Sequence, residues 1–417
     1  MLIRTVLRCG PAGWVALFFI PALLVLAGVD VTDEHVWETA AAGATVQFGF
    51  VTTVCGGCAA WEGSRMRRGR VLGWAPVRSD VRLAWERLVP VLVLGLLAQT
   101  VVTARFTVHA WESPGHPNPG LIAVWLGALL AHTAVGYIVG YRLPQLTGVA
   151  VMLVGGFFWG FWPAALESPS WLRHLNGQGT GDCCTIDREL SVRSIAATLT
   201  FNLTAILGAV LLTMLRGRTG RRRLTAAVLA TGTVASVILA VPLGFDGSQA
   251  REKDLDRCAG DAPAICLWPE QEPERAALRR QVGQTGARLA QVGVTLPRRL
   301  AFSDVRTERK WLLEETATSV LPEDVTPCAD GDDTEGRRED AQTVLYIWLS
   351  LTAGTGSGTF SGRMPGDAVT LAEKAHRLPR SAQQDWYERN MRAVRHCGTT
   401  PRLDPATYAS KNDGNRP

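Results

Sequence analysis

About seven stretches of this chain, near 12–30, 39–60, 88–108, 120–141, 146–165, 194–215 and 224–245, are long and apolar enough to cross a bilayer, for which roughly 20 mostly apolar residues span about 30 Å of hydrocarbon. They crowd into the first 246 residues, whereas 247–417 carry mixed charge, several prolines and only short apolar runs. The overall composition, 47% hydrophobic in 417 residues, would also suit a soluble protein. Position therefore decides where the average does not. The pattern predicts an α-helical membrane protein with three parts: a bundle of about seven transmembrane helices over 1–246, a small exported α+β domain over 247–405, and a disordered tail over 406–417.

Orientation follows from arginine, because positive loops stay cytoplasmic. Arg4 and Arg8 precede the first span, and Arg65, Arg67, Arg68, Arg70, Arg78, Arg82 and Arg87 separate the second and third. Arg142 follows the fourth, and Arg216, Arg218, Arg221, Arg222 and Arg223 follow the sixth. All fall on one side, while the alternate loops are acidic or nearly neutral. This places the N-terminus inside and everything after the last span outside a bacterial plasma membrane. The first span lacks an A-x-A site after Val29 and is followed at once by others, so it reads as an anchor rather than a cleaved signal. Trp14, Trp37, Trp61, Trp111, Trp162 and Trp171 fall near span ends, as interfacial indoles do. Gly127, Gly136, Gly140, Gly155, Gly156 and Gly208 permit close helix packing. The net charge of +5 is explained by topology and does not point to nucleic acid. The preference for Arg over Lys fits a high-GC bacterial coding bias of actinobacterial type.

In the exported part, Ala264 to Trp268 has strand length, Pro273 to Val292 has helical spacing, and Val294-Thr-Leu reads as a second strand. Asp340 to Leu351 places Val344, Leu345, Trp348 and Leu351 on one helical face, and Ser381 to His396 reads as a last helix. Of nine cysteines, Cys183, Cys184, Cys258, Cys266, Cys328 and Cys397 fall in segments assigned to the outside, where disulfides persist. Six thiols allow 15 pairings. The favoured ones are Cys258 with Cys266 and Cys328 with Cys397. For the adjacent Cys183 and Cys184, a vicinal bond, separate partners and free thiols all stay open.

The metalloprotease H-E-x-x-H, the nucleophile elbow and the phosphate loop are all missing from the sequence. No cofactor or metal site is expected, nor enzymatic chemistry; Asp340, His376 and His396 are the weak catalytic candidates. If ATP is used, another subunit binds it. Cys55-Gly-Gly-Cys58 has redox or metal spacing, but without a helix N-terminus or four ligands it reads as packing within a span. His132 and Asn202 are the intramembrane polar site. With no central Asp or Glu in any span, the alternatives for His132 are a hydrogen-bonded packing histidine and a relay or substrate contact.

The loop after the second span is the most informative local feature. It runs Trp61-Glu-Gly-Ser-Arg-Met-Arg-Arg-Gly-Arg-Val-Leu-Gly-Trp-Ala-Pro-Val-Arg-Ser-Asp80. It resembles the first cytoplasmic loop of type-2 ABC exporter permeases, in which an acidic residue opens a short coupling helix, a glycine follows, and a hydrophobic-Pro-Val-polar stretch leads into span three. Glu62, Gly69 and Ala75-Pro76-Val77-Arg78 match in order. The resemblance covers about 30 residues directly and, through span order, the first 215. It implies a dimeric permease-like subunit working with a separate ABC ATPase, docked through Glu62, Arg65, Arg67, Arg68, Gly69, Arg70, Pro76 and Arg78. The other reading of the arginines is topological, with anionic lipid as their partner. Two departures stand out: a seventh span with an exported domain, and a short segment before span one. The competing function is a membrane-anchored extracytoplasmic sensor or interaction protein without transport activity.

Overall fold

The computed structural model describes residues 10–30, 36–69, 79–112, 115–181, 183–214, 219–252, 257–261, 263–302, 309–322, 325 and 334–409. The chain divides into two compact units, Met1–Glu252 and Lys253–Pro417.

The first unit contains seven long helices among its described residues: α1 (Pro11–Asp30), α2 (Trp37–Arg68), α3 (Asp80–Phe106), α4 (Pro119–Arg142), α5 (Gln145–Ala165), α6 (Val192–Met214) and α7 (Thr219–Ala240). Six of them, all but α2, are long and apolar enough to cross a membrane. The chain is therefore a helical membrane protein. α2 falls short on apolarity for a physical reason. It packs against α3, α4 and α5, and Ala40, Ala41, Ala44, Thr45, Gln47 and Thr52 along it are buried. A helix that faces other helices rather than lipid can carry small and hydroxyl side chains in place of large apolar ones.

Glycines allow this sheathing. A Cβ at Gly136 of α4 would run into the Gly56 carbonyl of α2, one at Gly140 into the Ala60 carbonyl, and one at Gly63 into the Tyr137 carbonyl. On the other side of α2, Gly57 lies against Leu153 of α5, and Gly160 of α5 against Gly49. Such backbone-to-backbone approach is the usual way apolar helices gain packing energy in lipid. The helix ends differ from the sequence expectation. α3 begins at Asp80, not near 88, because Ser79 caps it by accepting from the Arg82 amide at 3.3 Å.

The loop between α5 and α6 carries β1 (Arg188–Leu190), which pairs antiparallel with β2 (Ser248–Ala250) beyond α7. That pairing draws 247–252 into the first unit, so the border falls after Glu252 rather than after 246.

The second unit contains a three-stranded sheet in the order β3 (Arg257–Ala259), β4 (Ala264–Leu267), β5 (Arg299–Ala301), with β3 antiparallel and β5 parallel to β4. Its helices are α8 (Arg275–Ala290), α9 (Arg309–Thr318), α10 (Thr334–Ala353), α11 (Gly366–His376), α12 (Arg380–Arg395) and α13 (Ala406–Ala409). The core centres on α10, where Val344, Leu345, Trp348 and Leu351 are all buried as the spacing predicts. Trp348 meets Trp386 of α12 at 5.5 Å between ring centroids, an aromatic pairing worth about 0.5–1.5 kcal/mol beyond the area it buries.

Two expectations need correction here. Val294-Thr-Leu forms no strand: the Val294 amide returns to the Leu289 carbonyl at 3.1 Å, so it closes the C-terminus of α8 and is lost to a ladder. The strand is Arg299–Ala301 instead. The tail expected to be disordered from 406 begins with α13, whose Tyr408 packs on the core; positions 410–417 lie outside the described residues.

Candidate functional site

At the arginine-rich end of the bundle, α2 runs unbroken through Glu62 to Arg68. Glu62 therefore does not open a separate short helix, as the family resemblance implies. It is 4% exposed and accepts an ion pair from Arg65 at 2.9 Å, one helical turn on. Arg67 donates to the Arg142 carbonyl at the C-terminus of α4, at 3.2 Å, where the helix dipole favours a cation. Arg68 and Gly69 are exposed. Arg70, Pro76 and Arg78 lie outside the described residues. The end of α2 is thus tied to α4 by a charge-assisted bond and leaves Arg68 to solvent.

The intramembrane pair does not assemble. His132 Nδ1 donates to the Ala128 carbonyl of its own helix at 2.9 Å, which is the packing arrangement. Asn202 is 3% exposed and its Nδ2 meets no acceptor among the described residues. It lies against α4 near Gly127. Cys55 and Cys58 are free thiols buried in the bundle.

The opposite end holds a feature the sequence reading missed. Arg173, His174, Asn176, Gln178 and Thr180, in the connection from α5 to α6, are all buried. Gly177 makes the turn between them at a φ of +88°, a conformation that favours glycine. The Asn176 amide donates to the Trp159 carbonyl of α5 at 2.6 Å, and Gln178 donates to the Thr45 carbonyl of α2 at 3.3 Å. His174 Nε2 donates to the Gly244 carbonyl at 3.1 Å, which leaves Nδ1 to face the Ser194 hydroxyl at 3.2 Å. Burial holds this imidazole below the ordinary histidine value; the Gly244 carbonyl opposes that shift and the neighbouring Arg173 adds to it. The Arg173 guanidinium sits 3.9 Å from the centre of the Phe245 ring. A polar segment is thus packed into the mouth of an apolar bundle, with its hydrogen bonds made to α2, α5, α6 and the segment after α7. Gly247, just before β2, lies against Gly179 and His174 of this segment, and Arg188 of β1 pairs with Asp246 at 2.5 Å. Cys183 and Cys184, beside this segment, are both buried, and Thr39 of α2 donates to the Cys184 carbonyl.

In the second unit, Cys258 and Cys266 are joined across β3 and β4. Cys397 is disulfide-bonded; its expected partner Cys328 lies outside the described residues. Asp340 and His396 are exposed, and His376 faces the Thr352 hydroxyl at 3.4 Å. No hydrogen bond joins any two of these three among the described residues. No group of three or more His, Cys, Asp or Glu side chains gathers there either.

Comparison with known proteins locates one recognisable segment. Residues 265–397 match the family model of a domain of unknown function, DUF7224. The matched segment runs from β4 to the residues just beyond α12. No curated protein and no solved structure matches the chain.

Proposed function

We propose that the first unit is the permease-like subunit of an ABC-type exporter, driven by a separate ATPase. The observation that carries this reading is the reach of α2. Its 32 residues span about 48 Å at 1.5 Å per residue, against about 30 Å of hydrocarbon. At one end Arg67 ties it to α4; at the other, the Thr45 carbonyl accepts from Gln178 of the buried polar segment and Thr39 donates to Cys184 beside it. One rod thus touches both ends of the bundle, and its glycine-lined contacts with α4 and α5 let it shift as a body. An ATPase gripping the Arg65–Arg68 end would move the polar segment through α2, and so open or shut the far end.

In this reading α2 is a seventh span, sheathed by its neighbours. The N-terminus and the arginine-rich end are cytoplasmic and the second unit is extracytoplasmic, a compartment in which the Cys258–Cys266 bond persists. Two copies form the working pair. Photocrosslinking from a benzoyl-phenylalanine at position 68, in the native host, tests the docking. Capture of a nucleotide-binding ATPase supports it, and capture of lipid alone counts against it. A second reading is an anchored extracytoplasmic sensor, in which the exported domain, most of it matched by a domain family of unknown function, carries the activity.

A further inference from the structure

We infer that the cavity between α2, α3 and α4, at the end opposite the arginines, binds a neutral amphiphile bearing a hydroxyl group. The cavity measures about 310 Å³, roughly twice the ~150 Å³ engineered apolar cavity that takes up benzene. Trp37 and Phe48 of α2, Leu96 and Gln99 of α3, and Trp125 and Leu129 of α4 line it. Gln99 is 6% exposed. Its Nε2 donates to the Thr103 hydroxyl at 3.4 Å, and its Oε1 meets no donor among the described residues. Turning the amide over exchanges the two atoms and leaves the nitrogen without a partner instead. Buried polar atoms are ordinarily paired, and Gln99 stands in the cavity wall, so a small turn of its side chain presents the unpaired amide to a guest. A hydroxyl both donates and accepts, and it satisfies the amide in either orientation. No ionisable side chain lines the cavity, so a charged head drawn inside it would meet no counter-charge. The remaining walls are aromatic and aliphatic and suit a hydrocarbon chain. Trp111, 71% exposed, stands at the rim. The site does not depend on the exporter reading.

The test titrates the purified full-length protein in detergent with a dibrominated monoacylglycerol, whose bromines quench nearby indoles. Saturable quenching is expected. Gln99→Leu keeps the volume and removes the amide, and should weaken the midpoint about five-fold, the value of one neutral hydrogen bond. Ala104→Phe, at an exposed lining position, leaves Gln99 in place and should abolish saturation even if the Gln99 variant does not fold. A brominated fatty acid at a pH where it is ionised should bind far more weakly. Unsaturable quenching, equal curves in all three proteins, or equal binding of the fatty acid would each overturn the inference. Solvent extraction and mass spectrometry separate the two sources: about one neutral lipid per wild-type chain, missing from Ala104→Phe, marks a resident bilayer lipid. An empty extract with saturable probe binding marks an amphiphile taken from outside.

Discussion

Replacing Gly140 by alanine should loosen the bundle more than any other single methyl added to it. The new Cβ would fall on the Ala60 backbone of α2, and a backbone carbonyl cannot rotate away as a side chain can. The helices must separate, and overpacking of this kind costs about 1–3 kcal/mol, which raises the population of opened bundle by about 5-fold to about 160-fold. Cys55 and Cys58 report on the opening, since both are free and buried in α2, beside the carbonyls that Gly136 and Gly140 abut. Maleimide labelling of the detergent-solubilised protein, with the modified peptide identified by mass spectrometry, should accelerate by that factor in Gly140→Ala. Gly155→Ala is the matched control, because nothing lies within 4 Å of its added Cβ. If the two variants label these thiols at the same rate, the close α2–α4 contact is refuted, and with it the sheathing of α2.

Three further outcomes are expected. Arg338, 1% exposed, donates to the Ala393 and Val394 carbonyls at 3.1 and 2.7 Å and so closes the C-terminus of α12; Arg338→Met should cost about 3 kcal/mol, seen as a drop of about 6–12 °C in the melting of the second unit. Burial pushes the Tyr346 hydroxyl up to about 12, reinforced by the adjacent Glu314, so the folded form holds a proton that the unfolded chain releases near pH 10. Stability should fall from about pH 10 upward until that folded value is passed, and Tyr346→Phe should flatten the slope in denaturant melts. His174, held neutral by burial, works in the opposite direction: the unfolded chain takes up a proton below about pH 6.5 and the folded one resists. Acidification should therefore destabilise the first unit, and His174→Gln, which keeps a donor and an acceptor, should remove most of that dependence.

The membrane part was legible because an apolar run of span length has few other fates: six of the seven runs lie in helices long and apolar enough to cross a membrane, while the run at 39–60 lies in α2, a helix that is not. Their ends were less so. Helical hydrogen bonding does not stop where hydrocarbon does, and α2 continues through Glu62 to Arg68 on the Glu62–Arg65 ion pair and the bond from Arg67 to the end of α4 rather than on apolarity. The buried segment from Arg173 to Thr180 was illegible because its burial depends on partners far along the chain: Thr45, Trp159, Ser194 and Gly244. Its only local sign is a string of uncharged polar residues punctuated by Gly177, Gly179 and Gly181 between two spans. In the second unit, α10 and α12 announce themselves through large side chains at helical spacing. α11 was missed because its buried face is made of Ala368, Ala372 and Ala375, which do not stand out from their surroundings. The Cys258–Cys266 bond was readable as a short closed loop, and the strands that bring the two together are only three and four residues long.

The central claim is that α2 transmits the work of a separate ATPase. Its most direct test is purification of the tagged full-length protein from its native host in mild detergent, with co-purifying proteins identified and quantified by mass spectrometry. The account predicts a stoichiometric ABC ATPase that is lost when Arg65, Arg67 and Arg68 are replaced by alanine while the bundle stays folded. Recovery of an intact bundle with no ATPase, or of an ATPase whose binding ignores those three replacements, would contradict it.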